Sequence, residues 1–252
     1  MDQRDEVAAV DQDLPIEARP RFQHQILACL LGAIGLYILF AYLAMPTWWG
    51  VYERRHPALR SAPGITSTKV GIPADPVNVA FVGAKADLVR TMLAANWHPA
   101  DPLSLKSSLE IAADTVLRRS YVDAPVSSLY LFGRKEDLAF EKPVGNDPRR
   151  RNHVRFWQAP ELDALGRPLW LGAATYDRGV GLSRTDGEIT HHIDANVDGE
   201  REILVNDVMA TGRVAEKDII PNFHVIKQGR NGGGDPWRTD GALWVCVLKT
   251  SD

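Results

Sequence analysis

Apolar positions follow three regimes along the chain. Residues 26–45 (ILACLLGAIGLYILFAYLAM) are twenty residues without a charged side chain. An α-helix rising about 1.5 Å per residue needs that length to cross a hydrocarbon core of about 30 Å. The second regime opens with a β-branched run at 77–83 (VNVAFVG) and then takes helical spacing, with Leu88, Val89, Met92, Leu93 and Trp97 on one face of a helix over 85–97. Ser107 and Glu110 stand at capping-box spacing ahead of Ile111, Ala112, Val116 and Leu117, which predicts a second helix ending near residue 121.

In the third regime, from residue 125 onward, short apolar runs alternate with turn residues. The pattern predicts a hairpin of 127–132 and 137–142 about Gly133-Arg134-Lys135-Glu136, then strands at 152–158, 168–176 and 188–193. A helix is expected over 198–212 with Asp198 as its cap, and two last strands at 223–228 and 241–248 enclose a glycine-rich loop at 229–236. The predicted fold class is α+β: a mostly antiparallel sheet with about three helices, preceded by one transmembrane helix.

The apolar run begins only after a polar stretch, and Pro46, Trp48 and Trp49 follow it where a signal peptide would show small residues. An uncleaved anchor is the reading preferred to a secretory signal. Residues 1–25 set Asp2, Asp5, Glu6, Asp11, Asp13 and Glu17 against three arginines without an apolar face, the composition of a disordered polar tail. Residues 46–76 hold Pro57, Pro63, Pro73 and Pro76 and read as a Pro-rich extended linker, which leaves 77–250 as the folded domain.

Composition changes this picture little. Across 252 residues, 29 Lys and Arg against 32 Asp and Glu give a net charge of −3, which argues against a nucleic-acid binder. Cys29 lies in the apolar run and Cys246 near the C-terminus, so no disulfide is expected.

Several strings taken in order resemble one family: YVDAPV at 121–126, LYLFGRKEDLAFEKPV at 129–144, RRRNHVRFW at 149–157, GRPLWLGAATYDRGVGLS at 166–183 and THHID at 190–194. Together they resemble the LssY C-terminal domain family, from about residue 77 to 248. The resemblance implies a membrane-associated protein of the bacterial cell envelope and, from the family's secretion-system association, an envelope or secretion-associated protein as partner. Longer relatives carry multi-span regions ahead of this domain, some similar to lipid phosphatases. The single anchor here departs from them, so the phosphatase half does not transfer.

The densest group of chemistry-bearing residues is Thr190-His191-His192-Ile193-Asp194. On a strand, His192 and Asp194 share a face opposite His191. A divalent metal held by His192, Asp194 and a third ligand, His153 or Asp177, is one reading, since catalytic zinc takes three protein ligands and an open position. The spacing matches no strong metal signature, and structural histidines bonded to nearby carbonyls are the preferred alternative. No cofactor is otherwise evident. Arg149, Arg150, Arg151 and Arg155 form a candidate anion site, whose guanidinium forks suit phosphate or carboxylate oxygens; a solvated loop or attraction to anionic headgroups uses the same residues. Ser183-Arg184 ahead of His191 misses the phosphatidic acid phosphatase spacing by one position, and no phosphate loop, dinucleotide fingerprint or serine elbow is present.

Two functions survive. The preferred one is a binding or accessory module, tethered to the lipid bilayer through 26–45 in the bacterial inner membrane, with the domain on the extracytoplasmic side. The alternative is a hydrolase, possible with metal assistance, acting on an anionic, phosphate-containing substrate, with catalytic candidates His191, His192, Asp194, His153 and Asp177.

Overall fold

The computed structural model describes residues 19–47, 57–100, 128–145, 150–185, 187 and 189–250. The helix expected over 107–121 lies outside the described residues. The chain divides into two compact units, Met1–Arg54 and Arg55–Asp252.

The first unit contains helix α1 (Arg19–Leu39), which continues through a π-helical turn, Phe40–Ala44. Within His24–Thr47 an 18-residue window has a mean hydropathy of 2.4, and none of that window is buried. Leu36 and Tyr42 are 68% and 73% exposed, so this helix is a candidate membrane span by length and composition.

The second unit holds helices α2 (Pro57–Arg60), α3 (Lys85–Ala94) and α4 (Val197–Ala210). Its strands are β1 (Ile65–Ser67), β2 (Pro73–Pro76), β3 (Val79–Val82), β4 (His98–Pro99), β5 (Tyr130–Leu131), β6 (Arg134–Lys135) and β7 (Leu138–Pro143). They continue with β8 (Arg151–Leu162), β9 (Pro168–Leu182), β10 (Ile189–Ile193), β11 (Val214–Ile220), β12 (Gln228–Arg230), β13 (Pro236–Arg238) and β14 (Leu243–Leu248). The main sheet runs β11-β14-β3-β9-β8-β7-β4, with β10 paired to the far end of β9; a smaller sheet runs β2-β1-β5-β6. Every described pairing of the main sheet is antiparallel except β14 with β3.

The pleat sorts the core into two layers. On one face Phe81, Phe140, Val154 and Phe156 pack against Leu88 and Met92 of α3 and Leu204, Val205 and Val208 of α4. On the other, Ala80, Val82, Trp157, Leu171 and Val245 pack against Ala74 of β2 and Leu129 and Leu131 at β5. Gly172 is where β9 lets the first layer close: a Cβ there would stand 2.6 Å from Val79 Cγ2 and 2.7 Å from Phe156 Cε1. Asn78 ties the layers together, donating to the carbonyls of Ala174 and Val197 while its Oδ1 accepts the Ala174 N–H.

Several local expectations are corrected. The stretch expected as linker over 46–76 contains α2, β1 and β2; prolines at Pro73 and Pro76 are accommodated because they sit at the ends of an edge strand. The predicted hairpin is shorter, closing between β5 and β6 about Phe132 and Gly133, while β7 pairs with β8. β9 continues past 176 to Leu182, and β10 folds back on that extension. Residues 223–227 form a loop, and the edge of the sheet is taken by β11, which the apolar pattern did not single out. Asn196, and not Asp198, occupies the N-cap of α4; the Asp198 carboxylate instead accepts from Arg201, Thr239 and the Asp240 N–H.

Candidate functional site

Alternation along β8 places Arg151, His153 and Arg155 on the face that meets the small sheet. Their cross-strand neighbours are Glu141 of β7, opposite His153, and Thr175 and Asp177 of β9, opposite His153 and Arg151. The result is a buried ionic layer beside the apolar one. Arg151, 4% exposed, donates to Glu141 Oε2 at 2.7 Å and to Asp177 Oδ2 at 3.2 Å. Its remaining terminal nitrogen lies 3.2 Å from His191 Nε2, and His191 Nδ1 is 3.5 Å from Asp177 Oδ2. Because guanidinium can only donate, His191 Nε2 is the acceptor and the ring proton is on Nδ1. Burial, helped by Arg151, lowers the His191 pKa to about 4, so the ring is neutral.

Arg155 reaches Asp75 Oδ2 at 3.4 Å, and Asp75 Oδ1 accepts from Asn231 Nδ2 at 3.3 Å. Burial pushes the carboxyls of Asp75, Asp177 and Glu141 above their usual range, while the neighbouring arginines pull them down. Burial holds the His153 pKa well below its ordinary value, and the flanking Arg155 and Arg151 charges add to the effect. Neither of its ring nitrogens has a hydrogen-bond partner, nor has Thr175 Oγ1 opposite it.

This layer borders a cavity of about 600 Å³ between the main sheet, the β1–β2 hairpin and the glycine-rich loop. Asp75, Arg155, Asp177, His191 and Asn231 line it, with Lys69 at its exposed rim.

Among the residues proposed from sequence, Arg151, His153, Asp177 and His191 come together in this layer, and Arg155 adjoins it. His192 does not join them. Its Nδ1 lies 3.0 Å from both carboxylate oxygens of Asp235, which also accepts the Ile193 N–H. Its ring covers Gly181, where a Cβ would stand 2.6 Å from Nε2. A bulge between His192 and Ile193 breaks the expected alternation, and Asp194 turns to accept the Asn196 N–H. Arg149 lies outside the described residues; Arg150 is exposed ahead of β8. Among the described residues no group of three His, Cys, Asp or Glu side chains is placed to hold a metal ion. The cation that Glu141, Asp177 and His191 surround is the Arg151 guanidinium.

The family model of the LssY C-terminus matches residues 59–243. The chain belongs to the LssY C-terminus family. No curated protein and no solved structure matches it. The matched part of this LssY C-terminal domain includes β1 and β2, so the strands that carry Asp75 and roof the cavity are part of the family domain.

Sequence reasoning missed Asp75, Glu141, Asn231 and Asp235. Asp75 lay in the assumed linker, and Asn231 and Asp235 in a loop read only for its glycines. The loop's signal was present in retrospect: Asn231 and Asp235 bracket three glycines, the Asn231 N–H donating to the Asp235 carbonyl at 2.8 Å and Asn231 Oδ1 accepting the Asp235 N–H at 2.9 Å.

Proposed function

We propose that this protein is a membrane-anchored binding module of the bacterial envelope, whose LssY C-terminal domain holds a small polar ligand in the cavity beside Asp75 and Arg155. The apolar helix is its anchor in the inner membrane, with the lipid bilayer as its first partner, the domain on the extracytoplasmic side and an envelope or secretion-associated protein receiving the signal of binding.

The observation that carries the reading is the engagement of the polar groups around the cavity. His191 Nε2 accepts from Arg151 while its buried Nδ1, without a hydrogen bond, lies 3.5 Å from Asp177 Oδ2; Asp177 is held by Arg151, and His192 is committed to Asp235. Such a layer fixes a shape and a pattern of donors and acceptors, as a binding site requires. The anion-site residues take a different role here: Arg151 and Arg155 compensate buried carboxylates before any ligand arrives.

The test uses the full chain in detergent with the small-molecule fraction of an envelope extract. Ligand at about 100 times its Kd stabilises the folded state by about 2.7 kcal/mol, so the unfolding midpoint should rise by several degrees. The double variant Asp75→Asn/Arg155→Gln, which removes both charges together, should show no rise. A rise of equal size in both proteins places the ligand elsewhere.

A further inference from the structure

We infer that the cavity takes a neutral, hydroxyl-rich ligand, a mono- or disaccharide unit, gripped by Asp75, Arg155 and Asn231. This rests on the reading of the cavity as a ligand site and adds the chemistry of what enters it.

Charge comes first. The charge-bearing side chains lining the cavity are Lys69 and Arg155 against Asp75 and Asp177, the two acids already facing Arg155 and Arg151, and His191 is neutral. A phosphate would bring negative charge beside two buried carboxylates whose partner arginines are already engaged, and a cationic ligand would meet the same arginines. A neutral ligand escapes both penalties.

Hydrogen-bonding capacity comes second. An ionised carboxylate offers about four lone-pair sites. Asp75 uses them for two long contacts, 3.4 Å to Arg155 and 3.3 Å to Asn231, so acceptor capacity remains on the cavity side. A sugar ring presents adjacent hydroxyls, and a carboxylate beside a guanidinium and a carboxamide accepts from one hydroxyl while its neighbours donate to the next. The wall continues this pattern with the hydroxyl-bearing side chains Thr68, Ser128, Tyr130, Ser183 and Thr190. Each such group both donates and accepts, which matches an alcohol better than an ion. Size comes third: about 600 Å³ is ample for one or two sugar rings.

The experiment is saturation-transfer NMR on the full chain in nanodiscs, with glucose, galactose, N-acetylglucosamine, maltose and trehalose each at millimolar concentration, and inorganic phosphate as competitor. The expected result is transfer to the ring protons of at least one sugar, undiminished by phosphate. Asp75→Asn/Arg155→Gln should weaken it at least tenfold, about 1.4 kcal/mol. Transfer to none of the sugars, or equal transfer to the double variant, overturns the inference. Phosphate that binds the wild type and not the double variant overturns the sugar and keeps the cavity as a site. If the envelope extract also fails to stabilise the wild type, the binding-module reading falls with it.

Discussion

Arg155 donates to Asp75 Oδ2 at 3.4 Å, joining the middle of β8 to a hairpin 80 residues earlier in the chain. Both side chains are nearly buried, at 7% and 6% exposure. Removing one partner strands the other charge, whereas removing both does not. Asp75→Asn and Arg155→Gln should each cost about 2–4 kcal/mol, and the double variant clearly less than their sum. Urea unfolding of the four proteins gives the coupling; simple additivity would show that the pair does not interact.

Arg151 is the larger charge hub. Its guanidinium serves Glu141, Asp177 and His191 at once, so Arg151→Met should destabilise by about 3–5 kcal/mol, and Arg151→Lys should recover only part because an ammonium cannot fork between two carboxylates. The same placement predicts a wild-type unfolding midpoint indifferent to chelator. A midpoint lowered by chelator would restore a metal reading for His192, Asp194 and His153.

Glu200 supplies a pH test. It is 3% exposed in the first turn of α4, with both carboxylate oxygens unpartnered. Burial, reinforced by Asp177 and Asp207, pushes its pKa up to about 9. The unfolded carboxyl ionises near 4.5, so the folded state keeps a proton that the unfolded state releases, and stability falls as pH rises from 4.5 toward 9. Gln carries no such loss. Glu200→Gln should match the wild type near pH 4 and exceed it by about 2–3 kcal/mol at pH 7. A constant difference across the range would contradict the buried neutral acid.

Gly172→Ala tests the packing of β9. Its new methyl would meet Val79 and Phe156 well inside contact distance, and both belong to strands fixed on either side. Overpacking of this kind costs about 1–3 kcal/mol, read as a lowered urea midpoint. An unchanged midpoint would mean that the layer has slack.

The elements most legible in the sequence were those whose pattern is local. The helical faces of α3 and α4 and the alternation of Val154 with Phe156 were plain because apolar spacing alone defines them. The same alternation put His153 and Arg155 on the face that a one-sided sheet would give to water. They are buried because a second sheet, β1 and β2, covers them, and the Arg155 charge is met by Asp75 as that of Arg151 is met by Glu141 and Asp177. The Arg155–Asp75 and Arg151–Asp177 pairings join residues 80 and 26 positions apart, so no short window of residues contains both partners. The THHID string drew attention through residue type, and the bulge after His192 then sent its members to three different environments. Helix capping failed for a related reason: the Asp198 carboxylate accepts from Arg201, the Thr239 hydroxyl and the Asp240 N–H and not from its own helix end.

The central claim, that the cavity beside Asp75 and Arg155 is a ligand site, is most directly tested by native mass spectrometry of the full chain released from detergent after purification from bacterial membranes. The wild type should carry a small-molecule adduct, and Asp75→Asn/Arg155→Gln, folded by its unfolding profile, should fly without it. An adduct of the same mass and occupancy on both proteins, or none on the wild type, would contradict the claim.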